Sequence, residues 1–297
     1  MKNKIIAVAV VILLIGGGIL TFCIVSRTDI ESPYIRVSAT GSDGHSEGLG
    51  YFISKDGKLV TNYHVIAGAS SITVYDEEQT FTVENILAYD AHTDLAVLKI
   101  DARTNSVTFS DKTPDKDDTV TAYNKSMLLE GTILRTEMTA SDEPYCTFYS
   151  VDIAIESGMS GGALLNSENE VIGTVSRMSK TEENIGFAIP TAYLNELEYL
   201  VEPLSVSDFY KMTYCGDEIR ATESIVYADE GTAVVTLISP LGDGVILDCV
   251  TSDGATSQWG KWYQDGTMID LYITKNSSED SSVVVSDGSS KAVITIK

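Results

Sequence analysis

Apolar and β-branched residues recur along this chain in short runs separated by polar turn residues. From Tyr34 to about Ile189 the runs are rich in Val, Ile, Thr and Tyr. Helical spacing of apolar residues first appears in "TAYLNELEYLVE", residues 191–202, and predicts a helix there that closes the domain. Many short strands without intervening helices predict antiparallel barrels or sandwiches. The runs are "YIRVSA", "GLGYFI", "KLVTNY", "SSITVY", "LAVLKI", "TVTAY", "GTILRTEM", "CTFYSVDI" and "EVIGTVSRM".

The C-terminal part of the chain shows a second, separate strand pattern. A connector at residues 203–213 precedes it, and Asp-Gly turn signals recur at 243, 253, 265 and 287. About seven strands in roughly 84 residues predict a small immunoglobulin-like β-sandwich over residues 214–297. Trp259 and Trp262 fit its core or a sheet face, and a carbohydrate-binding aromatic surface is the alternative.

The N-terminal segment is a candidate membrane anchor. Residues 5–25, "IIAVAVVILLIGGGILTFCIV", form an uncharged run about as long as a membrane-spanning helix of roughly 20 residues. Lys2 and Lys4 precede the run and favour a cytoplasmic N-terminus. We predict a cytoplasmic tail and transmembrane signal anchor over residues 1–27, with a cleaved signal peptide as the alternative, and a linker at 28–33. The chain would then cross the cell membrane once, with its remaining residues extracytoplasmic.

Composition narrows the classes of partner and cofactor. The chain has 297 residues and is 43% hydrophobic, so sizeable cores can be buried. Beyond residue 27 there are 17 basic and 43 acidic residues, a formal net charge of −26, which disfavours nucleic-acid binding. The three histidines and four cysteines lack metal-ligand spacing, so we expect no metal. Cys215 and Cys249 are the candidates for a disulfide, which an extracytoplasmic location permits.

Residues 156–166, "ESGMSGGALLN", place one serine among glycines. Ser160 follows Gly158 by two positions and is followed by two further glycines. A tight turn is one explanation, and the other is that backbone N–H groups converge there on a negative charge. A serine hydroxyl becomes a nucleophile only when a base takes its proton. The chain offers His64 in "VTNYHVIAG" and Asp94 in "HTDLAVLKI", which with Ser160 complete a His, Asp, Ser order.

Four motifs in this order resemble the HtrA (Deg) branch of the chymotrypsin-like serine proteases. They are "GLGYFISKDGKLVTNYHVIAGASSITV", "TDLAVLKI", "GMSGGALLN" and "NIGFAIP". The resemblance covers roughly residues 34–200, and we assign residues 34–202 to a protease domain. It implies a chymotrypsin-like fold of two antiparallel β-barrels with the cleft between them. The predicted fold class is therefore mainly β, a double β-barrel followed by a small β-sandwich and preceded by a transmembrane helix.

The resemblance also implies the role of each site residue. His64 would be the general base, Asp94 its orienting carboxylate and Ser160 the nucleophile, without a cofactor. The backbone N–H groups of Gly158 and Ser160 would form the oxyanion hole. Of the other histidines, His92 is too close to Asp94 in the chain to be its partner, and His45 lies in a loop.

Substrate recognition follows from the same resemblance. Two residues before the nucleophile would wall the primary specificity pocket, and "TVSRM", residues 174–178, would pair with the substrate backbone by strand addition. No acidic residue stands where selection for Lys or Arg requires one, so we expect a small aliphatic residue before the scissile bond. The implied substrate-binding residues are Ala154, Ile155, Thr174, Val175, Ser176, Ile185 and Phe187.

Two departures from the family limit what carries over. Residues 122–131, "AYNKSMLLEG", replace a longer Pro-bearing loop that serves activation and trimer contacts in the family, and the C-terminal unit lacks a PDZ pattern. The predicted function is a membrane-anchored serine endopeptidase that acts on protein or peptide substrates in envelope quality control or regulated proteolysis. The alternative is a non-catalytic surface-binding or adhesion protein on a protease scaffold. We further expect residues 1–213 to cleave a small peptide without the sandwich.

Overall fold

The N-terminal run forms strands instead of the expected helix. The computed structural model describes residues 8–15, 18–25, 29–42, 44–124, 127–140, 143–179, 182, 184–213, 218–228, 232–239, 247–252, 254–263, 267–286 and 290–297. Strands β1 (Val8–Ile15) and β2 (Gly18–Val25) pair antiparallel. Among the described residues, no helix is long and apolar enough to cross a bilayer. The transmembrane helix is therefore not confirmed, and the local sequence gives a reason: Val and Ile favour strands, and three consecutive glycines disfavour a continuous helix.

The next part of the chain forms an eight-stranded antiparallel sheet that makes a half-barrel. A short strand at Leu204–Ser205 completes one edge of this sheet beside its Asn85–Asp90 strand. A two-stranded parallel pair, β3 (Asp29–Ile30) and β11 (Arg103–Thr104), lies outside it. The consecutive elements are β4 (Tyr34–Gly41), β5 (Gly44–Phe52), β6 (Lys58–Thr61), α1 (Tyr63–Ile66), β7 (Ala69–Tyr75), β8 (Thr80–Thr82), β9 (Asn85–Asp90) and β10 (Leu95–Lys99).

Six strands then close into a second barrel, in the spatial order β12-β13-β14-β17-β16-β15. The strand runs predicted from the sequence supply buried Val, Ile, Leu and Phe side chains to the core of this barrel. The half-barrel and the closed barrel together agree with a chymotrypsin-like double barrel. The strands are β12 (Thr119–Asn124), β13 (Met127–Ala140), β14 (Glu143–Val151), β15 (Ala163–Leu165), β16 (Val171–Met178) and β17 (Gly186–Pro190).

Two short helices follow the closed barrel. Helix α2 (Thr191–Glu196) ends six residues before the predicted end, because the chain then pairs with β9, where the Leu200 N–H donates to the Leu87 carbonyl (2.9 Å). After β18 (Leu204–Ser205), helix α3 (Val206–Thr213) occupies the segment predicted as a connector. Phe209 of α3 is fully buried in the core of the half-barrel.

The C-terminal residues form two four-stranded sheets around a separate apolar cluster. One sheet has the order β19-β21-β24-β23 and the other β20-β26-β25-β22. The immunoglobulin-like assignment and the domain boundaries stay predictions, and the Asp residues of the four predicted Asp-Gly turns lie outside the described residues. The strands are β19 (Arg220–Ala221), β20 (Ile225–Val226), β21 (Thr232–Ile238), β22 (Asp248–Thr251), β23 (Ala255–Tyr263), β24 (Met268–Lys275), β25 (Ser281–Ser286) and β26 (Lys291–Ile296).

The tryptophans and the cysteine pair of this unit have different outcomes. Trp259 and Trp262 are partly buried and pack against the sandwich core, as the first of the two interpretations expected. The Sγ of Cys249 lies 3.2 Å from the Ser257 hydroxyl. Because Cys215 lies outside the described residues, the disulfide stays a prediction.

Candidate active site

The candidate base, His64, lies on the single-turn helix α1, which follows directly after β6. Its neighbours Tyr63, Val65 and Ile66 are buried and fix the helix on the half-barrel. The His64 side chain is 37% exposed, so its ring faces the cleft instead of the core. Anchored neighbours leave the imidazole little freedom of position.

The carboxylate of Asp94 lies against this histidine. The His64 backbone N–H donates to Asp94 Oδ1 (2.9 Å), and His64 Nδ1 lies 2.8 Å from Asp94 Oδ2. Burial raises the pKa of Asp94, but the charge of His64 and hydrogen bonds from His64 and Ser176 outweigh burial and hold this pKa below its usual range. Asp94 therefore stays ionised and can fix the imidazole with its Nδ1 protonated.

The backbone of Asp94 is fixed by hydrogen bonds from the two residues that precede His64. Asp94 closes the turn between β9 and β10 with a φ of 56°, in the left-handed region that few non-glycine residues adopt. Its carbonyl accepts hydrogen bonds from the Asn62 side-chain Nδ2 (2.8 Å) and from the Tyr63 N–H (3.2 Å). The residues flanking His64 thus also position Asp94.

The candidate nucleophile, Ser160, sits at a glycine-dependent bend before β15. Gly158 has φ 86° and Gly161 has φ 85°, which L side chains rarely adopt. The Ser160 carbonyl accepts the Leu49 N–H (2.7 Å), a bond that joins the two barrels across the cleft. The Ser160 hydroxyl donates to the Ser176 carbonyl (2.7 Å), so it must rotate towards His64 before proton transfer.

The bend leaves two backbone donors available. Among the described residues, neither the Gly158 nor the Ser160 N–H donates to a protein acceptor, whereas the Met159 N–H between them donates to the Glu156 carbonyl (3.1 Å). The Met159 side chain is fully buried, and its Sδ accepts the Glu156 N–H (3.2 Å). The two flanking N–H groups are the pair that the sequence suggested as an oxyanion hole.

The structure brings one predicted substrate-binding residue into direct contact with two of the candidate catalytic residues, Asp94 and Ser160. The Ser176 hydroxyl donates to Asp94 Oδ2 (3.1 Å), and the Ser176 carbonyl accepts the Ser160 hydroxyl. Thr174 is buried with its hydroxyl 2.8 Å from that of Tyr51, and the Val175 backbone is bonded to the nucleophile bend. Sequence reasoning assigned Ser176 to substrate binding and missed its bond to Asp94, as it missed Asn62, because neither residue carries a spacing signal.

The remaining predicted substrate-binding residues do not share one cluster. Ile155 is buried beside Gly186, where an added Cβ would lie 2.2 Å from Ile155 Cγ1, and Ala154 is exposed. Ile185 and Phe187 pack in the other hydrophobic cluster of the closed barrel. The assignment of all four to the substrate pocket stays a prediction.

The contacts described for the other two histidines include carboxylates and do not include Ser160. His45 is exposed near the β4–β5 turn, with its Nε2 3.4 Å from the Glu47 carboxylate. His92 faces Asp90 and, from the C-terminal unit, Asp270. Within the described residues, no group of three or more His, Cys, Asp or Glu side chains is arranged to hold a metal ion.

Part of this chain is similar to known serine proteases. Residues 48–173 match the model of the Trypsin-like peptidase domain. A Probable periplasmic serine endoprotease DegP-like of Rhizobium meliloti is 34% identical over 163 residues, which cover 51% of this chain and 32% of that protein. The Serine protease Do-like HtrA of Lactococcus lactis is 30% identical over 244 residues, which cover 72% of this chain and 59% of that protein.

A solved structure has a similar fold over part of this chain. The active-form crystal structure of the Rv3671c protease from M. tuberculosis matches with a TM-score of 0.50 and 21% identity, covering 59% of this chain and 84% of that one. The resemblance to HtrA-type proteases that the motifs predicted is confirmed. The matches span about a third to three fifths of the length of the two curated relatives.

Proposed function

We propose that this chain, which carries a trypsin-like peptidase domain similar to those of HtrA proteases, is a serine endopeptidase that uses His64, Asp94 and Ser160. The observation that carries the proposal is the His64–Asp94 contact of 2.8 Å beside a glycine bend that holds Ser160. All three residues lie within the 48–173 match. The protein or peptide substrates are part of the proposal.

The geometry supports acyl transfer in two steps. The Ser160 hydroxyl turns from the Ser176 carbonyl to His64, which takes its proton as Oγ attacks the substrate carbonyl carbon. The N–H groups of Gly158 and Ser160 stabilise the resulting oxyanion. His64 then gives the proton to the leaving amine. Water, deprotonated by the same imidazole, hydrolyses the acyl-enzyme and frees Ser160.

The close packing of Ile155 against Gly186 supports a preference for small aliphatic residues before the scissile bond. The Ile155 side chain occupies the space above Gly186, so little depth is left between these two residues. Peptides that differ only in Ala, Val, Phe or Lys at that position test the preference. Faster cleavage after Phe or Lys than after Val would contradict it.

An extracytoplasmic, membrane-anchored location is the second part of the proposal. Its support is the periplasmic assignment in the names of the DegP-like relatives and the uncharged run at residues 5–25. Full-length chain and a chain lacking residues 1–27 should be compared in membranes washed with alkaline carbonate. Retention of only the full-length chain supports the anchor, and equal release of both contradicts it.

Labelling with a fluorophosphonate probe tests the catalytic assignment. The wild-type chain should label, and Ser160→Ala and His64→Ala should not, although both fold by circular dichroism. Ser157→Ala is the matched control, since Ser157 is an exposed serine of the same loop. An unlabelled wild type that still binds peptides would favour the non-catalytic binding function.

A further inference from the structure

A buried aspartate on the outer face of the C-terminal sandwich contacts the turn that carries Asp94. Along β24 the inner positions Ile269, Leu271 and Ile273 pack in the sandwich core, so Asp270 points outwards. Asp270 is nevertheless only 1% exposed. Burial of a carboxylate is costly unless it is paired and hydrogen-bonded, so its partners matter.

Those partners come from both units. Asp270 Oδ1 accepts the hydroxyls of Thr236 (2.9 Å) and Tyr263 (3.0 Å), both from the same sheet. Asp270 Oδ2 lies 2.8 Å from Nε2 of His92, which belongs to the turn between β9 and β10. The sandwich thus offers one carboxylate oxygen for a group on the protease part.

His92 is held at both ring nitrogens and on one face of its ring. Its Nδ1 lies 3.3 Å from Asp90 Oδ1, so its two ring nitrogens face two different carboxylates. Its ring stacks on Tyr263, with the centroids 4.7 Å apart and the planes at 20°. Both contacts with carboxylates need N–H donors, so the imidazole is doubly protonated in this arrangement.

An apolar layer surrounds this polar contact. Ile238, Tyr263 and Met268 of the sandwich belong to the same buried cluster as the core of the half-barrel. Tyr63, the residue before His64, is part of that cluster too. The sandwich therefore packs against the elements that carry the base and its carboxylate, instead of being joined only by a linker.

The turn itself transmits the contact to Asp94. Asp90 accepts the His92 N–H (2.9 Å) and the Thr93 hydroxyl (2.8 Å), which ties the turn residues together. Asp94 follows immediately in the left-handed conformation, which costs energy and persists only where the surrounding structure enforces it. A displaced His92 would therefore move or loosen the carboxylate that orients His64.

We propose that His92 and Asp270 are positioning residues through which the C-terminal sandwich holds the 91–94 turn, and with it Asp94, in the geometry needed for peptide hydrolysis. The proposal rests on the proposed serine endopeptidase function. Burial lowers the pKa of His92, but the hydrogen bonds and charges of Asp270 and Asp90 outweigh it and raise that pKa to about 9, which agrees with two N–H donors. The proposal opposes the expectation that residues 1–213 act without the sandwich.

Near-isosteric variants of the full-length chain test this role. Asp270→Asn and His92→Gln should lower kcat on a short fluorogenic peptide by about 10- to 100-fold, because small displacements of a catalytic group have effects of that order. KM should change little, since neither residue belongs to the predicted substrate-binding residues. In a cycle of His92→Ala, Asp270→Ala and their double variant, the double variant should lose no more kcat than either single one.

The alkaline limb of kcat separates positioning from a loss of fold. Wild-type kcat should fall reversibly as pH rises through about 9, where His92 loses the second N–H that it needs to face both Asp90 and Asp270. Tyr263, whose ring stacks on His92, is a further titratable group beside it. In His92→Gln this limb should be absent while circular dichroism stays native.

A matched control and two distinct failures complete the test. Thr274→Ala alters the same strand and face as Asp270 but lies outside the contact with the protease part, so kcat should be unchanged. Folded variants that keep wild-type kcat and its alkaline limb overturn the positioning role alone. A wild type that neither labels with a fluorophosphonate nor cleaves peptide overturns the proposed function and this role together.

Discussion

Asp94 is constrained through both its carboxylate and its backbone carbonyl. The carboxylate accepts hydrogen bonds from the His64 N–H and the Ser176 hydroxyl and contacts His64 Nδ1, while the carbonyl binds Asn62 and Tyr63. All the donors of these bonds are distant from Asp94 in the sequence. Asp94 thus links strand β16, helix α1 and the β9–β10 turn.

Asp94→Asn should lower kcat by roughly 10³- to 10⁴-fold with little change in KM. The amide N–H of the asparagine can donate to His64 Nδ1, which holds the imidazole in the tautomer protonated at Nε2, and this tautomer cannot take a proton from Ser160. Steady-state kinetics on one peptide, with Asp111→Asn as an exposed control, measures this. A loss below about tenfold would remove Asp94 from the triad.

The sign of the Asp94 contribution to stability follows from its lowered pKa. An aspartate whose folded pKa lies below its unfolded value of about 3.8 stabilises the fold above that value, and the stabilisation is lost as pH falls through the folded pKa. The free energy of unfolding, measured by urea denaturation, should therefore fall less between pH 5 and pH 2 in Asp94→Asn than in the wild type.

Two glycines of the nucleophile bend should respond differently to alanine. Gly158→Ala places a side chain at φ 86°, which costs about 1–2 kcal/mol or turns the peptide N–H away from the oxyanion position. Loss of one oxyanion donor lowers kcat by about 10²- to 10³-fold, so a kcat defect in a folded protein is expected. An unchanged kcat would show that the Gly158 N–H is not a donor.

Gly161→Ala is the contrasting variant, and its effect should fall on stability. Its Cβ would lie 2.1 Å from the Leu49 carbonyl oxygen and 2.4 Å from the Thr61 Oγ1, so the backbone joining the two barrels must shift. We expect the free energy of unfolding in urea to fall by more than that of Gly158→Ala. The reverse order would indicate that the bend tolerates a side chain at residue 161.

At the scale of elements, strands were easier to predict than helices. Runs such as "LAVLKI" coincide with β10 (Leu95–Lys99), because inward Val and Leu residues decide both the pattern and the burial. Helix α2 ends earlier than its spacing predicted, since pairing with β9 competes for the chain. The N-terminal run was predicted as a helix from its length, its lack of charge and the flanking lysines, which do not weigh the strand preference of Val and Ile or the three consecutive glycines.

Helix α3 was missed although the sequence contains its start signal. Ser205 and Asp208 stand in S-x-x-D spacing, and in the structure the Ser205 hydroxyl accepts the Asp208 N–H (3.1 Å) as an N-terminal cap. The segment was interpreted as a connector because it lies between two strand-rich regions. The motif residues of the site were predictable from spacing, whereas the Asp270 contact joins residues 178 positions apart and has no local signal.

Phe209→Ala tests whether α3 is part of the protease core. Its ring is fully buried and lies edge-on to Tyr63 (6.1 Å) and Tyr89 (5.1 Å), so removal should cost about 3–5 kcal/mol. Lys211→Ala, which removes an exposed pair with Asp208, should cost much less, because exposed ion pairs contribute little to stability. Chemical denaturation of both variants gives the difference, and equal small losses would make α3 a mere linker.

At the scale of the whole molecule, the contact between the two units depends on charge in a strongly acidic chain. The formal net charge is −23, so most long-range interactions between the units are repulsive. At the boundary between the two units, His92 places a positive charge between Asp90 and Asp270. The apolar contact of Ile238, Tyr263 and Met268 and this charge cluster together offset the repulsion.

The stability of this boundary should therefore depend on pH in a defined direction. The folded pKa of His92 is about 9, above the unfolded value of about 6.5, so its stabilisation is complete below pH 6.5 and is lost as pH rises through 9. Burial raises the pKa values of Asp90 and Asp270, but hydrogen bonds and the charge of His92 lower both below the usual range, so their stabilisation is lost only in acid.

Thermal unfolding of wild type and His92→Gln across pH 5 to 10 measures this dependence. The wild type should have the higher Tm at pH 6, where the charged imidazole faces both carboxylates, and the difference in Tm should shrink towards pH 10, where the imidazole is neutral. Taking the difference cancels the titration of groups that the two proteins share. Since the glutamine side chain of the variant carries no titrating charge, a Tm difference that stays constant from pH 6 to pH 10 would show that the His92 charge does not hold the two units together.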